Sequence, residues 1–144
     1  MRTGISLASS MLVFLGAAAF AHPKHADHLE NAQVLPADTP KEEVTALMKH
    51  FAQSLGVRCS HCHVGEEGQP LSTYDFASDA KPAKRRARQM LEYTHMLNQD
   101  PRLPGEERAS LTDMSENRVN CYTCHRGELT PATVIPQPGA SDAS

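Results

Sequence analysis

The chain has 144 residues, with 17 acidic against 14 basic side chains and a formal charge of −3. That is enough for one small domain, and it lacks the basic excess expected of a nucleic-acid binder. It contains no Trp, three Tyr and four Phe, too few large rings to fill a core of this size, so folding is expected to depend on a bound group that supplies part of the apolar interior.

The N-terminus reads as an export signal. Arg2 supplies positive charge, Met11 to Phe20 form a short apolar run, and Ala19-Phe20-Ala21 provides the small-residue cleavage pattern. Residues 1–21 are therefore expected to be a signal peptide cleaved after Ala21. The run is short of the about 20 apolar residues that cross a bilayer; an uncleaved anchor is the competing reading, and no cysteine near the cleavage site suggests a lipid anchor. Without Arg2 the mature side chains sum to about −4. Residues 22–38 carry His22, His25, His28 and Pro36 among polar neighbours. They read as a flexible lead segment, with metal binding by the three histidines as the alternative.

A domain is expected over residues 39–130. Thr39 as N-cap, Pro40 at the first helical position, Glu42 completing a capping box and Gly56 just past the end predict a helix over residues 40–55. Val44, Leu47, Met48, Phe51 and Leu55 recur on one face of it.

Directly after this helix comes Cys59-Ser60-His61-Cys62-His63, and the same pattern returns as Cys121-Tyr122-Thr123-Cys124-His125, using every cysteine in the chain. Cys-x-x-Cys-His is the attachment pattern of haem c. Two thiols three positions apart can each form a thioether to one haem, and the adjoining imidazole can ligate its iron. Two covalent haems are thus implied, tethered by Cys59 and Cys62 and by Cys121 and Cys124, with His63 and His125 as proximal iron ligands. A four-thiolate zinc site is the rival reading. The 58 residues between Cys62 and Cys121 far exceed the spacers of roughly 15 to 20 in zinc ribbons, and zinc needs neither added histidine.

Between the motifs, Pro82 to Asn98 read as a second helix ending before Pro101, with Ala83, Ala87, Met90, Leu91, Thr94 and Leu97 along one stripe. Methionine is a common partner to histidine on haem iron and raises its reduction potential. Met48 faces the first haem on this reading, with an ordinary core methionine as the alternative. Met90 is the candidate distal ligand of the second haem, and His95 and Met96 compete from neighbouring angles. His61 reads as solvent-facing. Lys81, Lys84, Arg85, Arg86 and Arg88 gather positive charge at the start of this helix. A solvated face balanced by Asp75 and Asp79 is one reading and a docking patch for an acidic redox partner the other. Residues 131–144, with Pro131, Pro136, Pro138 and Gly139, read as an irregular tail.

Met48 eleven residues before Cys59, Leu55-Gly56-Val57-Arg58-Cys59-Ser60-His61-Cys62-His63, Asp75-Phe76-Ala77-Ser78-Asp79, Ala87-Arg88-Gln89-Met90 and Val119-Asn120-Cys121-Tyr122-Thr123-Cys124-His125-Arg126-Gly127 together resemble the photosynthetic reaction-centre cytochrome c subunit family over roughly residues 40–130. The resemblance implies a mainly α fold with little or no sheet, a small multihaem c-type cytochrome in which a helix precedes each motif and its methionine supplies the sixth ligand. It favours Met48 on the first haem. The reaction-centre subunit resembles two such units in tandem, whereas this chain has one, so a free-standing dihaem relative is expected. Tyr93 stands where some relatives have methionine, which leaves the ligand of the second haem open.

Closed, six-coordinate irons suit electron transfer. The expected function is that of a periplasmic dihaem carrier, not an enzyme, passing single electrons between redox proteins and compatible with association with a membrane redox complex. The rivals are a dihaem peroxidase-like haem enzyme with one open iron, for which the chain shows no obvious distal cluster, and a gas-binding haem sensor.

Overall fold

The structure is a computed structural model and describes residues 28–135. The expected signal peptide and its cleavage site, His22, His25 and residues 136–144 lie outside the described residues. The architecture is mainly α. Among the described residues four helices follow in order, α1 (Lys41–Leu55), α2 (Cys59–Cys62), α3 (Pro82–Gln99) and α4 (Cys121–His125), with short 3₁₀ turns at Leu71–Thr73 and Met114–Glu116. Among the described residues there is no strand, only one isolated antiparallel bridge between Val64 and Asp75.

The start of α1 differs from the expected capping box. Pro40 is itself the cap residue, with extended ψ and no side-chain cap, and the Thr39 hydroxyl donates to the Pro36 carbonyl at 2.7 Å instead of receiving a helix N–H. A turn carbonyl three positions upstream competed for the hydroxyl and won. Glu42 and Glu43 still place negative charge in the first turn, where it favours the helix dipole. The other end is as read. Gly56 adopts φ +64° and its N–H and that of Val57 return to Gln53 and Ala52 carbonyls, a left-handed C-cap that glycine takes without strain. A Cβ at Gly56 would also sit 2.0 Å from the Gly127 carbonyl oxygen, and the Gly127 N–H donates to the Ser54 carbonyl at 2.9 Å. The end of α1 is sutured to the chain leaving α4, and the two helices pack together.

The periodic face of α1 turns inward as its spacing dictates. Leu47 is buried with Leu91 of α3 and Met114 of the second 3₁₀ turn, flanked by Met48, Phe51, Val34, Leu35 and Leu111. On α3 the expected stripe splits. Leu91 is buried and Ala87 and Thr94 half-buried, while Met90 and Leu97 are exposed with Tyr93 beside them. Among the described residues Leu47, Leu91 and Met114 are the buried apolar side chains, a small core for a domain of this size.

Candidate functional site

The two cysteines of the first Cys-x-x-Cys-His word bound α2, and His63 follows as its cap. His63 N–H closes the turn on the Cys59 carbonyl at 3.0 Å, and His63 then steps into extended backbone, which carries its imidazole off the helix end. The chain doubles back through the Val64–Asp75 bridge. Gly65 allows this return, because a Cβ there would lie 2.4 Å from the Tyr74 ring, and the Tyr74 hydroxyl ties the loop by donating to the Glu66 carbonyl at 2.9 Å. The return delivers Phe76, whose ring stands edge-on to His63 with centroids 4.9 Å apart. His63 is half-buried and its Nδ1 is buried without a hydrogen-bond partner. Burial, reinforced by Lys84, Arg88 and Lys81, pushes its imidazole below the ordinary value, so the ring is neutral at neutral pH, the form that ligates metals.

The basic run at the start of α3 is a clamp on this loop. Lys84 is buried, donates to the carbonyls of Phe76, Ala77 and Ser78 at 2.9, 2.9 and 2.8 Å, and lies 3.2 Å from an Asp79 carboxylate oxygen. Arg88 donates to the same oxygen at 2.7 Å and to the Asn31 carbonyl at 3.0 Å. Lys81 reaches the Ser60 carbonyl inside α2, and Arg85 the Asp79 carbonyl. Four of the five cations are therefore engaged with the chain's own groups, but this is not the solvated face balanced by Asp75 and Asp79: Lys84 is buried, most partners are backbone carbonyls, and of the two carboxylates only Asp79 pairs with the cations. Asn31 and Gln33 join the same knot, Asn31 donating to Ala77 O at 2.7 Å and Gln33 to Asp79 at 3.0 Å.

The second motif is held by amide side chains. Asn98 is 0% exposed. It donates to the Thr94 and Val119 carbonyls at 2.8 and 2.7 Å and accepts the Val119 N–H at 3.0 Å, pinning the strand-like approach to Cys121 against the end of α3. Arg118 gathers the carbonyls of Asn98, Asp100 and Leu103. Asn120 then starts α4 with a reciprocal capping box, accepting from Thr123 N–H while the Thr123 hydroxyl accepts from Asn120 N–H. His125 Nδ1 lies 3.0 Å from the Glu128 carbonyl. A carbonyl only accepts, so Nδ1 carries the proton and Nε2 keeps its lone pair for a metal.

All four cysteines are free thiols, Cys59 and Cys124 exposed, Cys62 and Cys121 half-buried. Burial pushes the Cys62 and Cys121 thiols up. Among the described residues no three of His, Cys, Asp and Glu gather into one metal cluster. Of the distal candidates, Met48 is half-buried against the Leu47, Leu91 and Met114 cluster. Met90 is 45% exposed and Met96 54%, and they stand about 120° apart around α3 by helical geometry. His95 has a buried Nδ1 without a partner and an Nε2 3.0 Å from the Gln99 side chain. With Tyr93 and Met96 it lines a shallow groove of about 500 Å³. His61 is exposed.

The description "Photosynthetic reaction centre cytochrome C subunit" belongs to a family model that matches residues 22–142. The chain belongs to that family. It is 36% identical over 111 residues to the photosynthetic reaction center cytochrome c subunit of Roseobacter denitrificans, covering 75% of this chain and 26% of that one. Cytochrome c-554 of Chloroflexus aurantiacus is 32% identical over 95 residues, 66% of this chain and 20% of the relative. The Rubrivivax gelatinosus reaction center subunit is 29% identical over 111 residues, 67% of this chain and 28% of the relative. The chain thus spans about a quarter of the length of the curated relatives it matches. No solved structure matches it significantly.

The residues fit the group that the family's name implies. Each motif sets two free thiols and an adjoining histidine within five consecutive residues, the Glu128 carbonyl on Nδ1 leaves the Nε2 lone pair of His125 for a metal, and the surface carries exposed Phe76, Met90, Tyr93, Leu97 and Tyr122, apolar area that a haem face would cover. Sequence reading missed Lys84, Asn98 and Phe76 as parts of these sites. Asp79, placed five and nine residues before Lys84 and Arg88, was the available signal for the clamp.

Proposed function

We propose that the chain is an exported, periplasmic dihaem c-type cytochrome that passes single electrons between redox proteins and is not an enzyme. The reading is carried by the two thiol pairs, each on a short helix and each followed directly in sequence by a histidine whose ring can ligate iron. Haem c, when bound, supplies a one-electron Fe(III)/Fe(II) couple.

The chain's residues account for the rest. Cys59 and Cys62, and Cys121 and Cys124, form the thioethers, and His63 and His125 are the proximal ligands. The Glu128 carbonyl orients His125, and the Phe76 edge limits rotation of His63 and keeps water from its ring. Met48 is proposed as the distal ligand of the first haem, on the helix face that already packs inward, which favours the reduced state. For the second haem Met90 is the proposed ligand, with His95 and Met96 as the alternatives. Among the described residues no helix is long and apolar enough to cross a membrane; donor and acceptor are proposed to be proteins, and a membrane redox complex is a partner compatible with the names of the relatives.

A pyridine haemochrome assay with intact mass, on protein matured in a bacterial periplasm, should give two haems per chain. Spectra should show a methionine-to-iron charge-transfer band when oxidised and no change with carbon monoxide when reduced. Carbon monoxide binding at one haem would favour the peroxidase-like or sensor reading, and absence of covalent haem would remove the proposal.

A further inference from the structure

The two proximal histidines, alike in sequence, sit in opposite second shells. His125 donates its Nδ1–H to the Glu128 carbonyl at 3.0 Å. Such a bond makes the imidazole a stronger electron donor and stabilises oxidised iron. His63 has no partner on Nδ1; its ring meets the Phe76 edge instead. The loop carrying Phe76 is held by buried Lys84, and Lys81 and Arg88 stand with it. Against these three cations the cluster has Asp79, bridged by Lys84 and Arg88, and Asp75, whose carboxylate accepts the N–H groups of Ala77 and Ser78. Fixed net positive charge beside His63 favours the reduced state of a metal it holds.

We infer that the haem at Cys59, Cys62 and His63 has the higher reduction potential, and that electrons pass within the molecule from the second haem to the first. The inference rests on the dihaem reading above. A one-electron donor protein reduces the second iron to Fe(II). That iron returns to Fe(III) as its electron reduces the first iron from Fe(III) to Fe(II), and a one-electron acceptor protein then reoxidises the first iron. Lys84 and Arg88 act as positioning residues that hold the proximal wall and its charge.

The test is a spectroelectrochemical titration of the mature holoprotein, resolved into two one-electron waves, for wild type, Lys84→Gln, Arg88→Gln and Asp79→Asn. Each charge change is expected to alter the oxidised-to-reduced ratio of the first haem by about tenfold at fixed potential, or about 59 mV for one electron. Lys84→Gln and Arg88→Gln should lower the upper wave and Asp79→Asn should raise it. A loosened loop would move all three variants in one direction, so opposite signs separate charge from damage. Movement of the lower wave, movement of neither wave, or one common direction overturns the inference. Should Lys84→Gln fail to mature, the opposed signs of Arg88→Gln and Asp79→Asn decide. Peptide mass mapping of the wild type is read first: a Cys59–Cys62 peptide without haem would overturn the dihaem reading itself, whereas a loaded peptide with the wrong wave moving overturns only the order of potentials.

Discussion

Replacing Asn98 with alanine takes the pin out of the second haem motif. The side chain is fully buried and makes three hydrogen bonds, two of them to both backbone groups of Val119. Alanine leaves the Val119 N–H and C=O without those partners. Each unsatisfied buried group costs about 1–3 kcal/mol, and water entering the vacated space recovers part of it, so the expected loss is about 2–4 kcal/mol. The measurement is urea unfolding of the holoprotein followed by far-UV circular dichroism, since the haem stays attached in the unfolded chain. Asn98→Asp is the companion. It keeps an acceptor for the Val119 N–H but faces the Thr94 and Val119 carbonyls with a carboxyl that donates to one of them only when protonated. Burial raises the folded pKa of that carboxyl above its unfolded value of about 4, so the variant binds more protons folded than unfolded. Its stability should fall as pH rises from about 4 toward that raised value. A loss under about 0.5 kcal/mol for Asn98→Ala, or an Asn98→Asp variant that strengthens across that range, would refute the reasoning.

Gly56→Ala meets both a left-handed backbone, costing a non-glycine residue about 1–2 kcal/mol, and the immovable Gly127 carbonyl, so about 3 kcal/mol of destabilisation is expected. Gly68→Ala is its control: φ is +85° but nothing lies within 4 Å, so only the conformational part should appear in thermal melts. Asn120→Ala removes the cap of α4 and should cost about 1 kcal/mol, read as a lower urea midpoint with an unchanged slope. Protein expressed without haem attachment should bind a hydrophobic dye and unfold without a cooperative transition; a sharp two-state melt of that protein would contradict the idea that haem completes the core.

The parts of the fold that were legible in the sequence are those fixed by neighbours in the chain. The 3.6-residue spacing of Val44, Leu47, Met48, Phe51 and Leu55 oriented α1, Gly56 ended it, and Pro82 began α3 within one residue of its observed bounds. Cys-x-x-Cys-His is local by nature. What failed was local too, but open to competition: the Thr39 hydroxyl had a helix N–H and the Pro36 carbonyl within reach, and the sequence does not rank them. Asn98 and the carbonyl contacts of Lys84 were illegible for another reason. Each side chain is defined by backbone groups that a distant turn presents, the 76–78 carbonyls after the Val64–Asp75 bridge and Val119 before Cys121.

The division of labour between these two residues bears on how the molecule works. At the first motif the fixing group is a buried cation, which satisfies three carbonyls and leaves charge beside His63. At the second a neutral amide satisfies one residue's N–H and C=O, and the Arg118 guanidinium beside it gathers the carbonyls of Asn98, Asp100 and Leu103. Either chemistry would hold a loop. A lysine buried at nine per cent exposure carries a desolvation cost that an amide avoids, and it stands with Lys81 and Arg88 around His63, so the fold places charge directly at the first proximal histidine. A neutral replacement that kept the three carbonyl contacts would preserve the loop and still lose that charge, which is why the potential, more than the stability, is the quantity that distinguishes a clamp from a tuning device.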